Sequence, residues 1–220
     1  TLITLPPELT RAWMDWLSEI TGTNRARNKG TLLGVNNRQY PAKDRVAKVM
    51  LEQVYDRVER HLPQDTLWRR GDKRGYPPVM LVSFPNAPNQ LPHADGLKPN
   101  AEGVVHLAFP CLHGQRGTFM LTGSLRRQEI RIVEAYYAAV RQAGGHEVWP
   151  ARRAVLRFWV SLRAEDFTLV ISKLGECTPM QSDRIHFGAG SLSLRVVLFV
   201  TYVWGECCTD KSSGEMPVKK

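Results

Sequence analysis

Apolar residues in the first third of the chain recur at helical spacing, and from Tyr76 onward the period shortens to that of strands. In PPELTRAWMDWLSEITG, Leu9, Trp13, Trp16, Leu17 and Ile20 share one face, prolines occupy the first turn and Gly22 closes the run, which predicts a helix. AKDRVAKVMLEQVYDRVERHL predicts a second helix, with Val46, Met50, Val54, Val58 and Leu62 as its apolar stripe and Pro63 as its stop. The stretch between them, NRARNKGTLLGVNNRQYP, reads as a Gly/Asn-rich connection carrying Arg25, Arg27 and Lys29.

Beyond Tyr76, PVMLVSF, GVVHLAF, TFMLTG, VLRFWVSL, FTLVIS and LRVVLFVTYVW are short β-rich runs separated by Gly, Pro, Asn and Asp. RQEIRIVEAYYAAVRQAGG interrupts them as a predicted helix ending in a glycine pair. Helices first and mostly strands afterwards predict an α+β chain: an antiparallel sandwich or barrel supported by helices. The expected organisation is one domain over 1–207, with helical support at 1–63 and a β core at 76–204 that holds the helical insertion at about 127–145. Residues 208–220 form an expected frayed tail.

The chain's 220 residues are enough to bury a real core, and its 43% apolar and 23% charged content is that of an ordinary globular protein. No window approaches the roughly 18 apolar residues of a membrane span. The opening TLITLPPELT lacks the basic start and long apolar run of a signal peptide, and it lacks an initiator methionine, which suggests a trimmed or processed chain. Cys111, Cys177, Cys207 and Cys208 form no CxxC or CxxH pair, so a zinc finger is not expected. They read as reduced thiols of an intracellular protein, nuclear or cytoplasmic. The net charge of +9 favours an anionic partner and argues against none of the soluble folds.

One polar stretch changes the picture. In NQLPHADGLKPN, His93 and Asp95 stand two residues apart, so an extended backbone would point both to one face. A polar loop with a structural aspartate turn explains the pair equally well, and a metal reading needs a third ligand. His186 supplies a candidate: it follows Gly175 and Glu176, and a glycine-containing loop separates it from an apolar strand with a single charge, Arg195. A guanidinium in so apolar a strand is costly unless paired, and an anionic ligand would pair it. Two imidazoles and one carboxylate with open positions suit non-haem Fe(II). Among the other histidines, His106 reads as a satisfied core residue, His113 and His146 as loop residues, and His61 as a helix-end cation.

HxD, a distant G-E followed by H-x-G, and an arginine nine residues after the last histidine together resemble the iron(II)- and 2-oxoglutarate-dependent dioxygenases, over about Tyr76 to Trp204. The resemblance implies a double-stranded β-helix, a jelly-roll or cupin-like barrel, with His93, Asp95 and His186 as the catalytic metal ligands. It implies Arg195 as the grip on the far carboxylate of 2-oxoglutarate, O2 as the oxidant, and ascorbate as an accessory reductant. Many members carry a tyrosine nine residues before the first histidine. Here that place is Phe84, and Ser83, Tyr76 or Ser193 are the candidates to replace it.

Basic residues gather in WRRGDKRGY (Arg69, Arg70, Lys73, Arg74), LRRQEIR (Arg126, Arg127, Arg131) and ARRAVLR (Arg152, Arg153, Arg157). Arginines interleaved with aromatics suit phosphates and stacked bases. With the resemblance, they imply hydroxylation of a methylated base in DNA or RNA as the first expectation. A protein side-chain hydroxylase of the prolyl type is the second, and a catalytically silent β-barrel binding module the third. No membrane partner is expected.

Overall fold

The most apolar run of the sequence, Arg195–Trp204, is the strand β10 of a computed structural model, and its alternation organises the fold. The structure describes residues 3–27, 30–34, 36–62, 68–74, 76–90, 92–93, 95, 104–112, 117–121, 149–182 and 184–204, with 135, 138–139 and 142. Strands β1 (Thr31–Gly34), β2 (Asn37–Pro41), β3 (Trp68–Arg70), β4 (Val79–Ser83), β5 (Val104–Pro110) and β8 (Thr178–Gln181) join β10 in one antiparallel sheet. Its order is β1-β2-β4-β10-β5-β8, with β3 also pairing β10. A second sheet has the order β7-β6-β9, from Phe167–Val170, Thr118–Leu121 and His186–Gly188.

Side chains along β10 divide between two environments because successive residues point to opposite faces. Val196, Leu198, Val200 and Tyr202 enter one core with helix α1 (Pro7–Thr21) and helix α3 (Arg45–Glu59). Val197, with Phe199 beside it, packs instead against Ala108, Met180 and Met120, the last of these from the small sheet. The odd-numbered face of β10, with its register partners Ser83, His106 and Ala108, therefore looks into the space between the sheets.

Local chemistry fixes the helical layer. Asp44 caps α3 by accepting from Ala47 N at 2.8 Å, and its other oxygen accepts from Trp16 Nε1 of α1. One carboxylate thus starts one helix and ties it to the other. Trp13 of α1 is fully buried and meets Trp16 edge to face, with ring centroids 5.5 Å apart. Trp13→Ala is expected to cost roughly 3–5 kcal/mol of stability; urea unfolding checks this, and a change below about 1 kcal/mol would mean that the two helices are not seated as described.

Several expectations change in the structure. VLRFWVSL is not a strand: it lies in helix α4, Trp149–Ser161, where Pro150 fits the first turn and Phe158 is the buried contact. TLLGVNNRQYP is a hairpin, not a connection; Asn36 takes φ 56° at its turn, a conformation asparagine tolerates well, and the hairpin extends the large sheet beyond β4. Val46 is 55% exposed, and the buried face of α3 is instead Ala47, Met50, Leu51, Val54, Tyr55 and Val58. A short helix α2, Asn24–Arg27, follows α1. Of the insertion expected at 127–145, Ala135, Ala138, Ala139 and Gln142 are described and helical, and the rest of it lies outside the described residues, as does the tail 208–220. Among the described residues no helix is long and apolar enough to cross a membrane. Cys111 and Cys177 are free thiols whose pKa burial pushes up to about 12, which leaves them unreactive at neutral pH; Cys207 and Cys208 are outside the described residues.

Candidate metal centre

His93 and His186 meet because two backbone segments run side by side. His93 N donates to His186 O at 2.9 Å, and His186 N donates to His93 O at 2.9 Å. Such a doubly bonded antiparallel pair places the two side chains on one face, and the imidazole centroids stand 4.7 Å apart. The same ladder continues through Gln90 N to Gly188 O at 3.0 Å and Ser191 N to Ala87 O at 3.0 Å. Because β9 also pairs β6, the His93 segment acts as a further edge of the small sheet.

Asp95 completes the group. Its Oδ1 lies 3.4 Å from His93 Nε2 and its Oδ2 lies 3.3 Å from His186 Nε2. One donor atom from each of the three residues falls within a span of 4.8 Å. Burial alone would raise the Asp95 carboxyl, but hydrogen bonds and positive charge from His186 and His93 outweigh it and hold the group far below the usual carboxylate range. Burial likewise works against a charged His186, while Asp95 and the Arg184 carbonyl raise its pKa.

The donor set fits a metal ion. His186 Nδ1 lies 2.9 Å from Arg184 O, and a carbonyl can only accept, so Nδ1 carries a proton; Nε2 faces Asp95 and donates to it in the metal-free protein, and a bound ion would take the place of that Nε2 proton. A second partner on the far ring nitrogen is what orients metal-binding imidazoles. Two neutral imidazoles and one carboxylate form the donor set of non-haem iron sites with open positions.

Arg195 is 8% exposed, at the start of β10, and faces the small sheet. Its Nη2 donates to Thr118 Oγ1 at 3.1 Å and its Nη1 to Ala189 O at 3.4 Å; burial lowers its pKa to about 10, which keeps it cationic at neutral pH. Among the described residues no carboxylate meets this buried guanidinium. Gly188 makes room for it: a Cβ there would sit 2.8 Å from Arg195 Nη1 and 2.8 Å from Gln90 Oε1. Both atoms end flexible side chains, so Gly188→Ala is expected to fold but to displace the guanidinium. If Arg195 grips 2-oxoglutarate, as the resemblance implies, affinity for it is expected to weaken by on the order of tenfold, read by calorimetry; unchanged affinity would mean that Arg195 does not touch that ligand.

Two other elements of the resemblance have structural roles. Gly175 adopts φ +73°, and a Cβ on it would lie 2.8 Å from Leu5 O, so glycine permits both the turn and the close passage of the N-terminal segment. Phe84 packs against the main core. Of its candidate substitutes, Ser83 donates to Asn37 Oδ1 at 2.6 Å, Ser193 N donates to Ser191 Oγ at 3.3 Å, and the Tyr76 ring stands edge-on to His106. Sequence reading missed Thr118 and Gln90, whose approach to Arg195 and Gly188 is long-range and has no local signature.

The basic cluster divides. Arg70 forms ion pairs with Glu52 at 2.7 Å and Glu59 at 2.6 Å and lies over the Tyr55 ring at 4.3 Å, so it holds α3 to the sheet instead of presenting a free cation. Arg69 is in register with Val203 and so occupies the opposite face of β3. The side chains of Lys73 and Arg74, and the Arg126–Arg127–Arg131 group with His113 and His146, lie outside what is described.

No family profile and no curated protein matches the chain. Solved structures do. HygX from Streptomyces hygroscopicus, with nickel and 2-oxoglutarate bound, superposes with a TM-score of 0.56 at 10% identity, covering 90% of this chain and 79% of that one. SnoK, a non-haem α-ketoglutarate-dependent carbocyclase from nogalamycin biosynthesis, gives 0.63 at 15% identity, covering 90% and 76%. A prolyl hydroxylase from Trichoplax adhaerens, in complex with a hypoxia inducible factor peptide fragment, gives 0.55 at 9% identity, covering 92% and 81%. The chain therefore shares the fold of these structures, a double-stranded β-helix, and its His-Asp-His cluster lies where the His93 segment pairs with β9 of the small sheet.

Proposed function

We propose that this chain is an Fe(II)- and 2-oxoglutarate-dependent oxygenase that oxidises a C–H bond of an organic substrate. His93, Asp95 and His186 would hold the iron, and Arg195 would hold the far carboxylate of 2-oxoglutarate. The observation that carries the reading is the pairing of two features on facing sheets: three donor atoms within 4.8 Å, and a buried arginine without a carboxylate partner among the described residues. When bound, ferrous iron supplies the redox chemistry that couples O2 and the decarboxylation of 2-oxoglutarate to substrate oxidation. Arg195 fixes the orientation of the dicarboxylate, with a planar fork suited to two oxygens. Ala108, Met120, Met180, Val197 and Phe199 line the intervening space with apolar surface that excludes water from the reacting atoms.

For the substrate we favour a small molecule or a peptide segment over a methylated base. HygX has also been solved with hygromycin B bound, and the prolyl hydroxylase with a peptide fragment. Within this chain, Arg70 is committed to Glu52 and Glu59, which removes one cation from the cluster a phosphate backbone would need. The test is succinate release with Fe(II), ascorbate and a panel of small molecules, peptides and methylated oligonucleotides. Iron-dependent succinate raised by a small molecule or peptide is the expected result. Stimulation by the oligonucleotides alone would return the nucleic-acid reading, and no succinate under any condition would leave a silent binding module.

A further inference from the structure

His106 was expected to be a satisfied core histidine, and half of its ring is not. The residue is 7% exposed, and its Nδ1 lies 2.8 Å from Thr201 Oγ1, yet its buried Nε2 has no hydrogen-bond partner among the described residues. Register places it on the inward face: His106 is opposite Thr201 on β10 and Met180 on β8, and Met180 lines the space between the sheets. Burial lowers its pKa, with opposing influences from Asp95 and His186, so the ring is neutral and within electrostatic reach of the triad. A buried polar nitrogen left unpaired is expensive, and such a group commonly awaits a ligand.

The proton's place follows from the bonding. The Thr201 hydroxyl always carries a hydrogen, and His106 Nδ1 is its one partner among the described residues. We assign Thr201 as the donor and Nδ1 as the acceptor, the arrangement that leaves no hydroxyl hydrogen unpaired, and this puts the imidazole proton on Nε2. On this assignment the free atom is a neutral N–H donor on a residue of the inward face of the large sheet, the face that also carries Arg195. Arg195 starts β10 and Thr201 lies six residues along it, so the two donors address different ends of whatever lies between the sheets.

We propose that His106 Nε2–H donates a hydrogen bond to the oxo-acid end of 2-oxoglutarate, the end opposite the carboxylate held by Arg195. The inference rests on the functional reading above. Thr201 is then a positioning residue: it touches no ligand but sets which ring nitrogen carries the proton. The pair would make co-substrate binding depend on an imidazole tautomer, a requirement visible only when the hydroxyl and the ring are considered together.

The experiment is calorimetric titration of 2-oxoglutarate into protein loaded with nickel, with nickel affinity and melting temperature measured in parallel. His106→Phe removes the donor and keeps an aromatic ring; its Kd for 2-oxoglutarate is expected to rise about tenfold or more, as for loss of a hydrogen bond to a charged acceptor. His106→Gln restores an N–H and is expected to recover most of that loss. Thr201→Val leaves His106 in place but removes the donor that holds Nδ1 as an acceptor, so the ring is no longer fixed with its proton on Nε2 and affinity is expected to fall, by less than in His106→Phe. Nitrogen NMR of the metal-free protein should show a single Nε2–H tautomer in the wild type and a mixture of tautomers in Thr201→Val. Unchanged 2-oxoglutarate affinity in His106→Phe, or an equal loss of nickel affinity, would overturn the proposal. If the phenylalanine variant does not fold, wild-type affinity in Thr201→Val overturns it instead. A wild-type protein that binds neither nickel nor 2-oxoglutarate would point to failure of the oxygenase reading, which these variants do not test.

Discussion

His186→Ala is expected to abolish iron-dependent succinate release while the protein stays folded. The imidazole is one of three donors, and it is oriented by the Arg184 carbonyl at its Nδ1 and by Asp95 at its Nε2. The backbone bridge to His93 does not use the side chain, so the two segments remain joined without it. Loss of a 4%-exposed ring leaves a small void beside a carboxylate that keeps His93 as partner, and a stability cost of about 1–3 kcal/mol is expected. Circular dichroism and a melting curve separate loss of fold from loss of metal. Turnover that persists in a folded variant would remove His186 from the donor set.

Arg195→Met is expected to raise the 2-oxoglutarate requirement about a hundredfold, with iron binding intact. The size follows from truncating one partner of a buried, hydrogen-bonded charge pair, which costs roughly 2–5 kcal/mol. Stability is expected to move the other way. In the ligand-free protein the guanidinium is buried with a hydroxyl and a distant carbonyl as its partners among the described residues, and methionine fills a similar volume without a buried charge. A melting temperature equal to or above that of the wild type is therefore the expected companion result. A variant that melts much lower and still binds 2-oxoglutarate normally would make Arg195 a structural residue.

Much of this was legible in the chain because its signals are local. Strand β10 shows as an apolar run with one misplaced charge, the helices α1 and α3 show their stripes, and His93 and Asp95 stand at strand spacing. The failures have physical causes. The run VLRFWVSL mixes β-branched and aromatic residues within helical range, and periodicity alone does not separate a short apolar helix from a strand. The hairpin Thr31–Pro41 hides behind Gly and Asn residues that read as linker, although an asparagine at positive φ is what its turn uses. Arg70 looked like a free cation because its partners Glu52 and Glu59 lie on a helix distant in sequence. Thr118 and the His106–Thr201 pair depend on which strands the topology brings together, and that pairing is not written in any short segment.

The most direct measurement is a titration of nickel, which stands in for ferrous ion without reacting with O2, followed by 2-oxoglutarate, into the wild-type chain and into His93→Ala, Asp95→Ala and His186→Ala. One ion per wild-type chain, 2-oxoglutarate binding only once that ion is present, and loss of both in each variant is the predicted result. Metal binding that survives all three substitutions, or 2-oxoglutarate binding that ignores the metal, would contradict a centre built from His93, Asp95 and His186.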